Sequence, residues 1–179
     1  MALQRHPKVR VTSSSTVFHG RIFDVVRESV VLPSGLEQDL SIVDHPGAVA
    51  VAAVDGRGDL LLVRQYRHAC GDWLLEVPAG RVEPGEDRLA AAMRELEEET
   101  GHRARHWEVL REFYAAPGFC SELLTLFLAR DLVAVAHGAL EKDRDEELEI
   151  VRRAPQDLLS GDVRDAKTLI AGALLALRS

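Results

Sequence analysis

The chain has 179 residues, 46% of them hydrophobic and 28% charged, with 5% aromatics and a net charge of -7. That size suits one compact domain, or a domain with a small appendage, with a core drawn mostly from Leu, Val and Ala. The acidic balance argues against non-specific docking on a nucleic acid backbone, which needs a basic surface. No apolar run is long enough to span a bilayer, so no membrane partner is expected.

Two cysteines far apart, Cys70 and Cys120, offer no zinc-type spacing and read as reduced thiols of a cytoplasmic protein. Residues 1–16 are polar and basic without the apolar segment of a secretory signal, and they read as a mobile lead-in. Strand-like runs follow at 17–18, 22–32 and 36–44, with Pro33-Ser34-Gly35 as a hairpin turn between the last two. This unit, 1–46, is too small to fold alone and must pack on the rest of the chain or on a second copy. The remainder, 47–179, begins with apolar runs at 48–54 and 60–67 around the turn Asp55-Gly56-Arg57-Gly58. A short strand at 74–77 closes at Pro78-Ala79-Gly80. After Pro84-Gly85 a helix is expected, capped by Asp87 and stopped by Gly101. Strands at 107–114 and 123–129 flank a loop at 116–122. An acidic loop at 141–147 leads to a strand at 148–152, and helices are expected near 155–160 and 165–177.

The helix ending at Thr100 carries the chemistry. Leu89, Met93, Leu96 and Thr100 share one face, and at about 100° per residue Glu95, Glu98 and Glu99 fall on the opposite side. Glu95 and Glu99 are a like-charge i,i+4 pair, and all three acids sit at the helix end whose dipole disfavours anions. A divalent cation is the natural offset. Carboxylate oxygens select Mg²⁺, Mn²⁺ or Ca²⁺ over softer metals.

The wider frame is Gly80, Glu86, then Arg94-Glu95-Leu96-x-Glu98-Glu99-x-Gly101, and it resembles the Nudix box. Seven fixed positions at about 7% each match by chance on the order of once per million chains. One position departs: His102 stands where that family usually has an aliphatic residue. The resemblance implies an α+β fold, a mixed sheet between helices in an α/β/α sandwich, with the N-terminal β unit as an antiparallel extension. It implies Mg²⁺, with Mn²⁺ as a possible substitute, held by Glu95, Glu98, Glu99 and the Ala79 carbonyl, with Arg94 orienting the carboxylates. It also implies hydrolysis of a nucleoside diphosphate linked to another group.

Segments outside the box are similar to ADP-ribose pyrophosphatases. These are Arg64-Gln65-Tyr66-Arg67, Leu75-Glu76-Val77-Pro78-Ala79-Gly80, Ala116-Pro117-Gly118-Phe119-Cys120-Ser121-Glu122, and Gly20-Arg21-Ile22-Phe23 before a Pro-x-Gly hairpin. On that resemblance Arg67 contacts the substrate phosphates, while Glu76 and Glu122 contact the sugar hydroxyls or the adenine side. Pro117, with Gly118 beside it, marks the substrate loop. Arg21, Ile22 and Phe23 reach the adenine pocket of the other subunit in a homodimer with swapped N-terminal arms. The water-activating base lies in the acidic loop, at Glu146 with Asp145 and Glu147 as alternatives. The implied reaction is hydrolysis of ADP-ribose to AMP and ribose 5-phosphate. Another nucleoside-diphosphate sugar such as GDP-mannose, or a non-catalytic ADP-ribose sensor, is the alternative.

Overall fold

The computed structural model describes residues 3, 5–135, 148–159 and 161–178. The chain divides into two compact units, Met1–Gly47 with Tyr114–Leu123, and Ala48–Phe113 with Leu124–Ser179. Among the described residues, no helix is long and apolar enough to cross a membrane.

In the first unit, β1 (Arg10–His19), β2 (Asp24–Val31) and β3 (Glu37–Asp44) form a three-stranded antiparallel sheet in the order β1-β2-β3. The Pro33-Ser34-Gly35 turn forms as expected, with the Gly35 N–H donating to the Leu32 carbonyl at 2.9 Å. Strand β2 shows the two-residue period of a half-buried strand, with Val26, Glu28 and Val30 turned inward. The expectation of a mobile lead-in fails from Arg10 onward. Strand β1 is a Ser/Thr-rich strand whose side chains are nearly all exposed, so no apolar alternation announces it. Pairing with β2 holds it, helped by Thr12 Oγ1 donating to the Ser29 carbonyl at 3.0 Å and Ser14 Oγ to Glu28 Oε1 at 2.9 Å. Arg5 ties the preceding residues to the same buried carboxylate, its Nε donating to Glu28 Oε2 at 2.7 Å.

The second unit contains β4 (Ala48–Val54), β5 (Leu60–Arg67), β6 (Asp72–Glu76), β7 (Ala79–Arg81), α1 (Arg88–Thr100), β8 (His102–Tyr114), β9 (Leu123–Ala134), β10 (Glu149–Arg153) and α2 (Ala166–Ala176). The sheet runs β10-β5-β4-β9-β8, with β6 added to β5 and β7 added to β4. It is mixed: β4 and β9 are parallel, while β4 is antiparallel to β5 and β7. Strand β4 reads Ala-Val-Ala-Val-Ala-Ala-Val because both of its faces are covered. Ala48, Ala50 and Ala52 join Leu60, Leu62, Leu126 and Leu128 in a core with Leu158, Ala171 and Leu175 of the C-terminal segment. Val49, Val51 and Ala53 join Leu61, Phe127 and Ala129 in a second core with Ala91, Ala92 and Leu96 of α1. Helices therefore cover both faces of a mixed sheet, as the α/β/α expectation requires.

Each fully buried Leu or Val contributes about 1.5–3 kcal/mol of transfer free energy. The few tenths of a kcal/mol lost to like charges along a helix are small beside that. Helix α1 thus forms where its apolar contacts place it. Its face differs from the expected one. Met93 is 43% exposed, whereas Glu95 and Glu99 are buried beside Ala91, Ala92, Leu96 and Thr100. The stripe Leu89-Met93-Leu96-Thr100 marks only one edge of the buried arc, because small alanines and hydrogen-bonded carboxylates make up the rest.

Three further elements extend beyond the sequence reading. Strand β7 occupies the expected turn at Ala79-Gly80, β8 begins at His102, and β9 continues to Ala134. The segment Pro155–Leu159 is a short 3-10 helix rather than an α-helix. Both ends of α1 match their signals. Asp87 Oδ1 accepts from the Leu89 N–H at 2.9 Å and the Ala90 N–H at 3.2 Å, and Gly101 takes the left-handed conformation at φ 66. Replacing Asp87 by Ala is expected to lower stability by about 1 kcal/mol. Urea titration followed by circular dichroism checks this, and an unchanged midpoint would show that the cap is dispensable.

Candidate active site

The box residues meet where α1 crosses β7. Arg94 is the hub. Its Nε and Nη2 hold both oxygens of Glu86 at 3.0 and 3.1 Å, and its Nη1 donates to Glu95 Oε1 at 2.7 Å and Glu98 Oε2 at 3.0 Å. Its Nη2 also donates to the Arg81 carbonyl at 3.2 Å, tying the helix to β7. The Arg94 hydrogen bond and the backbone N–H of Glu83 hold the Glu86 carboxyl below its ordinary range, against the opposing effect of burial. Arg94 is itself pushed further up, first by Glu86, so it remains a fixed cation. Glu97 takes no part and pairs with Arg103, whose Nη2 donates to it at 2.7 Å.

Glu95 and Glu99 face β7 at 9% and 5% exposure. The Ala79 N–H donates to Glu99 Oε2 at 3.3 Å. At Gly80 the backbone lies so close to Glu95 that an added Cβ would overlap its carboxylate. The glycine is therefore required by close approach rather than by a turn. His102 starts β8 and its Nδ1 bonds the Thr100 carbonyl at 2.8 Å, a polar solution at the aliphatic position of the box.

Among the described residues, no group of three or more His, Cys, Asp or Glu side chains is arranged to hold a metal ion as it stands. The geometry shows why: Glu95 Oε1 and Glu98 Oε2 are drawn onto Arg94, and Glu99 Oε2 onto a backbone amide. The donor chemistry nevertheless suits a hard divalent cation, since Glu95, Glu98 and Glu99 offer carboxylate oxygens on successive positions of one helix edge.

A second cluster lies in the same unit. Glu76, 2% exposed, receives Arg67 in a two-pronged bond, Nε to Oε1 at 2.7 Å and Nη2 to Oε2 at 2.8 Å. Lys167 of α2 also donates to Glu76 Oε2. Burial pushes the Glu76 carboxyl up, but the Arg67 hydrogen bond and the Lys167 charge outweigh it and hold the group down at about 2. Both Glu76 oxygens are thus engaged by cations of this chain. The sequence reading missed Lys167, Asp165 and Thr168. Asp165 was recognisable as the start of the last helix, yet nothing local connects that helix to Glu76.

The other candidates belong to the first unit. Arg21, Ile22 and Phe23 line a cleft of about 190 Å³ with Gly20, Asp24, Asp44 and Pro46. Ile22 and Phe23 are substantially exposed, and Phe23 lies against Phe18 with ring centroids 6.5 Å apart. Pro117 and Gly118 sit in a loop closed by the Ala115 N–H donating to the Glu122 carbonyl at 3.1 Å. Glu122 Oε1 lies 3.8 Å from His45 Nδ1, which already accepts the Gly47 N–H at 3.1 Å. Asp145, Glu146 and Glu147 lie outside the described residues.

The arrangement on α1 and β7 is that of a Nudix box, and a family model described as NUDIX domain matches residues 44–171. The chain belongs to the Nudix family of hydrolases, which generally use divalent metal ions. It is 39% identical over 173 residues to an ADP-ribose pyrophosphatase of Bacillus subtilis (strain 168), covering 94% of this chain and 93% of that one. It is also 35% identical to a methanol dehydrogenase activator of Bacillus methanolicus, over 94% and 93% of the two chains. The fold is similar to the crystal structure of an ADP compounds hydrolase, with a TM-score of 0.81 and 27% identity over 98% of this chain and 96% of that one.

Two outcomes follow from this geometry. Gly80→Ala is expected to displace Glu95 and cut turnover by about 100-fold, the size of an ångström-scale misplacement, while circular dichroism stays unchanged; normal turnover would deny the close approach a role. Glu76 has a depressed folded value, so its ionised form stabilises fully above its ordinary value of 4.5 and progressively less as pH falls toward about 2. Glu76→Gln should lower stability at neutral pH by about 3–5 kcal/mol. It should also flatten the acid limb of the thermal-unfolding profile, whereas an acid limb parallel to wild type would assign the pH dependence elsewhere.

Proposed function

We propose that this protein hydrolyses the pyrophosphate bond of ADP-ribose to AMP and ribose 5-phosphate, with Mg²⁺ as its cation and Mn²⁺ as a substitute. The observation that carries this reading is the burial of Glu95 and Glu99 against Ala79-Gly80 while Arg94 gathers Glu86, Glu95 and Glu98. Its support for the substrate is the near full-length similarity to an ADP-ribose pyrophosphatase.

On this reading Glu95, Glu98, Glu99 and the Ala79 carbonyl hold the cation. When bound, the cation neutralises the pyrophosphate and polarises the attacked phosphorus. Arg94 keeps the carboxylates in register. Arg67 presents a permanent positive charge to the phosphates. Glu76 is assigned to anchoring Arg67, in place of the direct sugar contact that the family resemblance implies. Pro117, Gly118 and Glu122 serve the sugar side, and Arg21, Ile22 and Phe23 serve the adenine of a second copy. The unit 1–46 is then the dimerisation arm and 47–179 the hydrolase domain of a cytoplasmic homodimer. Glu146, with Asp145 and Glu147 as neighbouring alternatives, takes the proton of the attacking water.

A panel of nucleotide sugars and dinucleotides, assayed with Mg²⁺ and phosphatase-coupled phosphate detection, tests the substrate. ADP-ribose is expected to give the highest kcat/KM. A higher value for GDP-mannose or another nucleoside-diphosphate sugar would replace that substrate, and tight binding without turnover would identify a sensor. Glu99→Gln is expected to lower turnover by roughly two orders of magnitude or more, as for a ligand to an ion that supplies several kcal/mol. Near-normal activity in a folded variant would remove Glu99 from the metal site.

A further inference from the structure

We infer that Lys167, locked by the Asp165 cap of α2, is a positioning residue for Arg67 and acts on it through Glu76. This rests on the reading of Arg67 as the cation that meets the substrate phosphates.

Arg67 is bound side-on to a buried carboxylate, Nε and Nη2 against the two oxygens of Glu76. A pair of that kind fixes the direction of the guanidinium but offsets much of its field, so the still charged arginine attracts a phosphate less strongly. Lys167 changes the balance. Its Nζ donates to Glu76 Oε2 and, at 2.9 Å, to Asp165 Oδ1. With Asp165 the four groups sum to zero, but the Glu76 carboxylate is now divided between two cations, so it offsets less of the charge on Arg67. The cluster is also graded in depth: the side chains of Glu76, Lys167 and Arg67 are 2%, 13% and 39% exposed. Arg67 is the member at the surface, so the part of its charge that Glu76 leaves unbalanced faces outward there.

Asp165 balances Lys167 in formal charge and holds it in place, while its other oxygen serves the helix. Oδ2 accepts from the Thr168 N–H at 3.0 Å and from Thr168 Oγ1 at 2.6 Å, at the helix end whose dipole favours an anion. Thr168 Oγ1 in turn accepts the Val77 N–H at 2.8 Å, next to Glu76 in the chain. The start of α2 and the end of β6 are therefore joined at two adjacent points, one ionic and one by hydrogen bond. Lys167 has little freedom to leave Glu76. A stabilising ion pair alone would account for its partners, but that role predicts no selective effect on anion affinity.

A double-mutant cycle separates the two roles. Wild type, Lys167→Met, Lys167→Arg, Arg67→Ala and the double variant Arg67→Ala/Lys167→Met are assayed with ADP-ribose and Mg²⁺. Each is also titrated calorimetrically with inorganic pyrophosphate and Mg²⁺. Lys167→Met is expected to raise KM and the pyrophosphate Kd by about tenfold, the scale of one charge-assisted contact, with kcat within about threefold of wild type. Lys167→Arg should stay near wild type in both. In the Arg67→Ala background, Lys167→Met should cause no further loss. If Lys167→Met does not fold, Lys167→Gln takes its place. A wild type that does not turn over ADP-ribose would overturn the substrate reading alone, and the pyrophosphate cycle would still decide this inference. Unchanged affinity in the lysine variant, equal losses in Lys167→Met and Lys167→Arg, or additive losses in the double variant would overturn it.

Discussion

One guanidinium, that of Arg94, gathers three carboxylates along the side of helix α1, and the site is built on that fact. Glu95 and Glu98 sit one and four residues along the same helix, and Glu86 comes from the loop before it. Acids so close together repel, and burying any of them without a partner costs several kcal/mol. The arginine makes the arrangement tolerable without saturating it, since a single positive charge is divided among three negative groups. What remains is a site with hard oxygen donors and a standing demand for more positive charge. On the proposed reading an acidic protein accepts an anionic substrate there, because a cation held by the glutamates also meets the phosphates.

The second dependence is on a five-residue segment, 76–80, which both helices hold. On one face of the sheet, Glu99 of α1 takes the Ala79 amide and Glu95 packs on Gly80. From the other side, α2 reaches Val77 through Thr168 and Glu76 through Lys167. Pro78 lies between, its carbonyl accepting the Val51 N–H of β4 at 2.8 Å. The segment is thus anchored to the centre of the sheet while it links the carboxylates around Arg94 to the pair of Glu76 and Arg67. The alternation of β4 makes this possible. Because Ala48, Ala50 and Ala52 face one helix layer and Val49, Val51 and Ala53 the other, the same strand supports both helices.

Much of this was readable in the chain. Gly80, Glu86, Arg94, Glu95, Glu98, Glu99 and Gly101 stand at intervals that a helix and its approach loop impose, and Asp87 and Gly101 mark the helix ends by local chemistry. Those signals act over a few residues and survive without a tertiary context. Strand β1 was missed because its Ser- and Thr-rich surface carries no apolar period. Met93 was misplaced because hydrophobicity alone cannot show that Glu95 and Glu99 are buried once Arg94 and the Ala79 amide satisfy them. Lys167 was missed because its partner is 91 residues away, and a lysine in the first turn of a helix is otherwise an ordinary solvated residue.

The class of fold, the family motif and the kind of chemistry were legible in the residue order, because backbone periodicity, capping and ligand type are local properties of the chain. Only the tertiary structure decided which charges are paired and which way they point: that Arg94 is shared among three acids, that Glu76 is enclosed by Arg67 and Lys167, and that Gly80 must lack a side chain. Those facts depend on distances between elements brought together by the sheet. Electrostatic energy depends on such distances and on burial, neither of which is written in residue order.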